Sequence, residues 1–194
     1  MALSAALAKL NDLLSCVTYN GAKHSHVLIE ECDALSALKK VILMAPSGDW
    51  FSFNPDKGRA CQRTQKCPVM SPLLSTDSHH KHHRACDCVV VVHRQGQLTV
   101  AYIDLKSKNK NGYADQFKST RQFMRYALGL LEEFHQERFE IQERYIILHG
   151  GKAPSLPKTP TVPKTRKTTP EHPYKRQVQD GAKLYLKELL ASNP

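Results

Sequence analysis

Cys86-Asp87-Cys88-Val89-Val90-Val91-Val92-His93 and Leu98-Thr99-Val100-Ala101-Tyr102-Ile103-Asp104-Leu105-Lys106, joined by Arg94-Gln95-Gly96-Gln97, decide the reading of this chain. Both segments are rich in β-branched residues and are separated by turn residues, the pattern of a β-hairpin. If Gln95-Gly96 is a two-residue turn, Arg94 faces Gln97, and counting outward sets Asp87 opposite Asp104. Directly opposed side chains share a face, with Cβ atoms about 5 Å apart. Side-chain direction repeats every two residues, so Lys106 joins Asp104 on that face, while Cys86, Cys88 and Leu105 are expected on the other. Two carboxylates and an ammonium converge. Carboxylates at the ends of apolar strands repel one another unless a cation lies between them, and a hard divalent ion with oxygen ligands is the natural candidate. The plain alternative is a surface ion pair between Asp104 and Lys106.

The order of these residues resembles that of the PD-(D/E)xK nuclease superfamily, which includes restriction-endonuclease-like and RecB-like enzymes. In that superfamily a hairpin carries an aspartate on one strand and an acidic-x-Lys on the next, followed by a helix. The matching residues are Asp87, then Asp104-Leu105-Lys106, then a helical stretch from about Tyr113, and the resemblance spans roughly Glu31 to Leu148. Cys86, not proline, precedes Asp87; a literal Pro55-Asp56 lies in a Gly/Asn/Ser-rich stretch and reads as a turn. The resemblance implies an α/β fold with a mixed central sheet flanked by helices in a single domain. It also implies Mg²⁺ or Mn²⁺ held by Asp87 and Asp104, with a glutamate from an upstream helix completing the site.

Two neighbours compete for that last role. On a helical wheel over His24–Ile42, Val27, Leu28, Ala34, Leu35, Leu38 and Ile42 fall within about 60° of Glu31, whereas Glu30 lies at the polar edge. A carboxylate in the middle of this face needs a partner, which a metal or Lys106 would supply; the alternative is that Glu31 snorkels to the rim or pairs with a basic residue. Downstream, Tyr113, Ala114, Phe117, Met124, Leu128 and Leu131 stripe a long helix over Tyr113–Gln136, punctuated at its start by Asn111-Gly112. Gln116 on its first turn, with Thr120, is similar to the glutamine-bearing helix of RecB-like members, which implies a role in orienting water or substrate. Gln122 with Tyr126 is a second match that points away from the packed face. Arg121 and Arg125 share a side and are candidates for phosphate contact. Arg144–His149 reads as a buried strand ended by Gly150-Gly151, so a helical crossover returns the chain to the sheet.

With 194 residues, 41% of them hydrophobic, the chain can bury one substantial core. Residues 1–151 are expected to form it, with a long insertion at 46–85, and 152–194 to form a basic Pro/Thr-rich arm and a terminal helix of about Gln177–Leu190. Met1–Leu14 reads as a first helix, not a secretion signal, and no apolar run is long enough to span a membrane. A cytoplasmic, reducing location without disulfides is expected for the six cysteines. The net charge is +10, and Lys152–Arg176 holds seven Lys or Arg against one acid. Lys108, Lys110, Lys164, Arg166 and Lys167 are candidate contacts to a nucleic-acid backbone.

Cys61, Cys67, Cys86 and Cys88, with the His79–His83 cluster between them, are suitable ligands for a structural Zn²⁺, yet their spacing is irregular and strand cysteines are commonly inert core residues. The histidines also fit a basic patch near phosphate or an exposed loop. The reading that joins these features is a Mg²⁺- or Mn²⁺-dependent deoxyribonuclease; the resemblance further implies a defence or restriction effector, working as a homodimer or under a regulatory or ATPase subunit. A non-catalytic nucleic-acid-binding protein, or a zinc-stapled adaptor, is the alternative.

Overall fold

A computed structural model of the chain describes residues 2–31, 36–60, 70–71, 73–75, 81–107, 112–150 and 168–191. The decisive hairpin is formed by β5 (Cys88–Arg94) and β6 (Gln97–Lys106), paired antiparallel with Arg94 against Gln97 and Cys88 against Ile103. Gln95 and Gly96 both have positive φ, 50° and 81°, which matches the twist of a two-residue hairpin turn. The four consecutive valines are buried on both faces of the sheet: Val89 and Val91 toward helices, Val90 and Val92 toward a second sheet. Strands covered on both sides need such continuous apolar runs.

Around the hairpin lies a six-stranded sheet. Its other members are β1 (Val17–Asn20), β4 (Trp50–Phe53), β7 (Glu140–His149) and β8 (Tyr174–Gln177), in the order β1-β4-β5-β6-β7-β8. Neighbours from β1 to β6 are antiparallel; β6, β7 and β8 run parallel. Helix α3 (Tyr113–His135) makes the crossover from β6 to β7 and, with α1 (Ala5–Leu13), covers one face through Leu7, Leu10, Phe117, Met124 and Leu131. The opposite face packs against a three-stranded sheet, β2 (His26–Glu30), β3 (Lys40–Met44) and β9 (Ala182–Tyr185), and against α4 (Leu186–Leu190). The architecture is mixed α/β, built mostly from two packed sheets. Among the described residues no helix is long and apolar enough to cross a membrane.

Four sequence expectations are corrected. The helix expected over His24–Ile42 is replaced by β2 and β3, paired antiparallel. Val27, Ile29, Val41 and Leu43 point inward with period two, and β-branched residues fit a pleated, half-buried surface better than a helix. The expected 46–85 insertion contains β4, a full member of the main sheet whose four residues are all buried. Pro55-Asp56, expected to be a turn, opens the short helix α2 (Pro55–Ala60), because proline's fixed φ suits the first helical position. The terminal helix expected over Gln177–Leu190 is instead the end of β8, then β9 and the five-residue α4. The C-terminal segment thus supplies a strand to each sheet.

Candidate active site

The last ladder pair of β5 and β6 is Cys88 with Ile103, and one further step along the same register sets Asp87 against Asp104. Asp87 stands just before β5 and its carboxylate folds back onto the neighbouring strand, where Oδ2 accepts the Leu105 N–H at 2.6 Å. Asp104 is completely buried (0% exposed). Lys106 Nζ lies 2.7 Å from Asp104 Oδ2, and it also donates to Gln116 Oε1 at 2.9 Å. Gln116 comes from the first turns of α3, which the crossover lays against this end of the sheet, and its Nε2 donates to Ala85 O at 3.0 Å. Its amide is thus engaged at both ends, by Lys106 and by the segment leading into Asp87. Glu31 arrives from the other layer, one residue beyond β2, where its N–H donates to Lys39 O at 2.8 Å.

The three carboxylates influence one another. Burial and then the charge of Asp104 hold the Asp87 carboxyl well above the usual carboxylate range; Glu31 adds to the rise, while the Leu105 N–H and Lys106 oppose it. Burial likewise pushes Asp104 up, against the pull of the Lys106 ammonium, and Glu31 pushes in the same upward direction. Neither Asp104 oxygen has an aligned hydrogen-bond donor among the described residues, for Lys106 pairs with it by charge and proximity. A buried carboxylate in this condition costs free energy when ionised.

Polar side chains on one face of α3 brace the approach to Asp87. Thr120, fully buried, accepts the Cys86 N–H at 3.1 Å and donates to Gln116 O at 2.9 Å. Ser119 donates to His82 O. On the other side, Ser107 Oγ accepts the Leu38 N–H at 3.1 Å and meets Ser36 Oγ, whose own hydroxyl donates to Leu38 O at 2.8 Å. Ser107 therefore ties the end of β6 to the β2–β3 connection that follows Glu31. Sequence reasoning missed Ser36 and Ser107, since a serine outside any motif carries no signal. Thr120→Val is expected to destabilise the protein by about 1–3 kcal/mol in chemical denaturation, because the buried Cys86 N–H loses its acceptor, while Thr120→Ser stays close to wild type.

Other residues singled out in the sequence are dispersed. Arg125 lies 3.6 Å from Glu143 Oε2, and Arg121 sits beside Tyr145, whose hydroxyl donates to the same Glu143 at 2.9 Å. These arginines therefore serve a Tyr102–Tyr145–Glu143 cluster further back along the strands. Lys108, Lys110, Lys164, Arg166, Lys167, Cys61, Cys67, His79 and His80 lie outside the described residues. Cys88 packs between the sheets, but Cys86, expected on the same face, packs on the helical side because it precedes the ladder; burial raises both thiols. His82 and His83 each place Nε2 2.8 Å from Ser75 O, so they organise their own loop.

Among the described residues no three His, Cys, Asp or Glu side chains already stand at metal-ligand geometry. The donor chemistry nonetheless fits a hard divalent cation. Asp104 offers two buried oxygens without aligned donors, Asp87 faces it across the strand pair, and the charge of Glu31 reaches both. No protein-family model, curated protein or solved structure matches the chain.

Proposed function

We propose that the chain is a divalent-metal-dependent nuclease of restriction-endonuclease-like fold, hydrolysing phosphodiester bonds in DNA. The observation that carries this reading is the Asp87 carboxylate held on the Leu105 N–H beside Asp104, with Lys106 held between Asp104 and Gln116. A hairpin bearing these residues, followed by a helical crossover to a parallel strand, supports the fold, and a net charge of +10 suits a polyanionic substrate.

In this reading Asp87 and Asp104 hold Mg²⁺ or Mn²⁺, with Glu31 as the third carboxylate. Such an ion, when bound, supplies an activated water and neutralises charge on the phosphoryl oxygens. Lys106 keeps its ammonium at the same spot through its ion pair with Asp104 and its hydrogen bond to Gln116, from which it would donate to an oxygen of the scissile phosphate or to the attacking water. Gln116 positions that ammonium, and through Ala85 it also fixes the backbone that presents Asp87. The buried floor under Asp104 lowers the local dielectric, which strengthens each of these interactions.

The test is cleavage of supercoiled plasmid DNA with Mg²⁺ or Mn²⁺ by the wild-type chain and by Lys106→Ala. The variant is expected to lose about a hundredfold or more in rate, the typical cost of removing one donor aimed at developing charge. Equal rates, or intact plasmid with both metals, would remove the basis for the assignment.

A further inference from the structure

The parallel strands carry the catalytic face onward beyond β6. Lys106 is in register with His149 on β7, and His149 with Gln177 on β8; one step back, Ile147 is in register with Lys175. In-register residues of parallel strands point to the same face, and Ile147 belongs to the α3-covered core, so His149 and Lys175 share the face of Asp104 and Lys106. Two contacts bear this out. Lys175 Nζ lies 5.1 Å from the centre of the Tyr113 ring, on the first residue of α3. The alternate residue Arg176 instead reaches Glu188 of α4, on the opposite side of the sheet.

His149 places Nδ1 3.3 Å from Gly150 O, and among the described residues Nε2 has no hydrogen-bond partner. The Lys175 ammonium is exposed, and among the described residues it has no acidic partner. From β6 to β8 these groups span two inter-strand steps, about 10 Å. A polynucleotide strand carries a charge about every 3.4 Å along its axis, so this span exceeds one nucleotide.

We propose that His149 and Lys175 form a second phosphate subsite, which takes the backbone of the strand being cut as it leaves the carboxylate centre toward β8. This rests on the nuclease reading for the identity of the polyanion. His149 keeps Nδ1 at Gly150 O and meets a phosphate oxygen through Nε2, and Lys175 leaves the Tyr113 ring to meet the next phosphate. The subsite lies at the carboxyl ends of parallel strands, where open α/β sheets commonly hold their ligands.

The experiment measures binding of a short fluorescein-labelled DNA oligonucleotide by anisotropy with Ca²⁺ present, over a range of salt. It compares wild type, His149→Ala, Lys175→Ala and a charge-matched control, Lys9→Ala, whose side chain pairs with Glu137 at 2.7 Å on α1. Lys175→Ala and His149→Ala are each expected to weaken binding by about tenfold, as for one lost charge-assisted hydrogen bond. Lys175→Ala should also flatten the slope of log K against log salt by about 0.7–0.9, with Lys9→Ala close to wild type. A Lys175→Ala protein that binds like Lys9→Ala would overturn the subsite. The catalytic reading fails separately: weakened binding in these variants, together with a wild-type chain that leaves DNA intact in Mg²⁺ and Mn²⁺, would keep the subsite and reject the nuclease.

Discussion

Asp104→Asn is expected to lower DNA cleavage by about a thousandfold or more, because it removes a carboxylate proposed to hold the metal, whose charge stabilisation would be worth several kcal/mol at about 1.4 kcal/mol per tenfold. The same change should leave the cation-free protein at least as stable near neutral pH. Asp104 is fully buried beside a second carboxylate, and its neutral isostere no longer suffers that repulsion. The Lys106 ammonium, which would lose its charge partner, keeps Gln116 as an acceptor. Activity and stability should therefore move in opposite directions. Measuring both on one preparation, by plasmid cleavage and thermal unfolding, separates a lost metal site from a lost fold. An Asp104→Asn protein that cleaves within a few-fold of wild type would reject the role given to Asp104.

The second large effect concerns thermal stability. Asp87 and Asp104 both have folded-state pKa values raised above those of the unfolded chain. Groups shifted in this direction stabilise the fold below the ordinary carboxyl value of about 4, and that contribution disappears as pH rises through the raised values. In chelator the melting temperature should consequently fall as pH rises from about 4 toward neutrality, beyond any change in an Asp87→Asn/Asp104→Asn double variant. At neutral pH, Mn²⁺ at a hundred times its dissociation constant should restore about 2.7 kcal/mol. For a chain of this size that is about 5–11 °C. At a pH near 4 the same addition should do little, since protonated carboxyls are poor ligands. A Mn²⁺ effect equal in the wild type and in the double variant would place the cation elsewhere.

The centre of the fold was legible because the hairpin announces itself: two β-branched runs, a turn pair with positive φ, and a register fixed by counting. Asp87, Asp104 and Lys106 follow from that register, and Gln116 from the phase of the α3 stripe. Glu31 comes within electrostatic reach of Asp87 and Asp104 by a different route from the one expected. Its helical-wheel position between Val27 and Leu38 described an apolar face that belongs to two strands, and a mixture of outward and inward residues over short segments satisfies both periods. What single residues or four-residue strands contribute was hidden. Trp50–Phe53 is too short to show alternation, and β8 and β9 owe their extended form to pairing with β7 and β3, a tertiary cause that local pattern cannot display. Arg121 and Arg125 show the reverse case, where helical spacing suggested phosphate contact and the fold supplied Glu143 and Tyr145 as nearer neighbours.

Calorimetric titration of Mn²⁺ into the wild-type protein at neutral pH, beside Asp87→Asn and Asp104→Asn, tests the central claim most directly. The account predicts saturable binding to the wild type that either single substitution abolishes or weakens by at least about a hundredfold, since both carboxylates are proposed to hold the same ion. Binding of equal strength in all three proteins, or none in any, would contradict it.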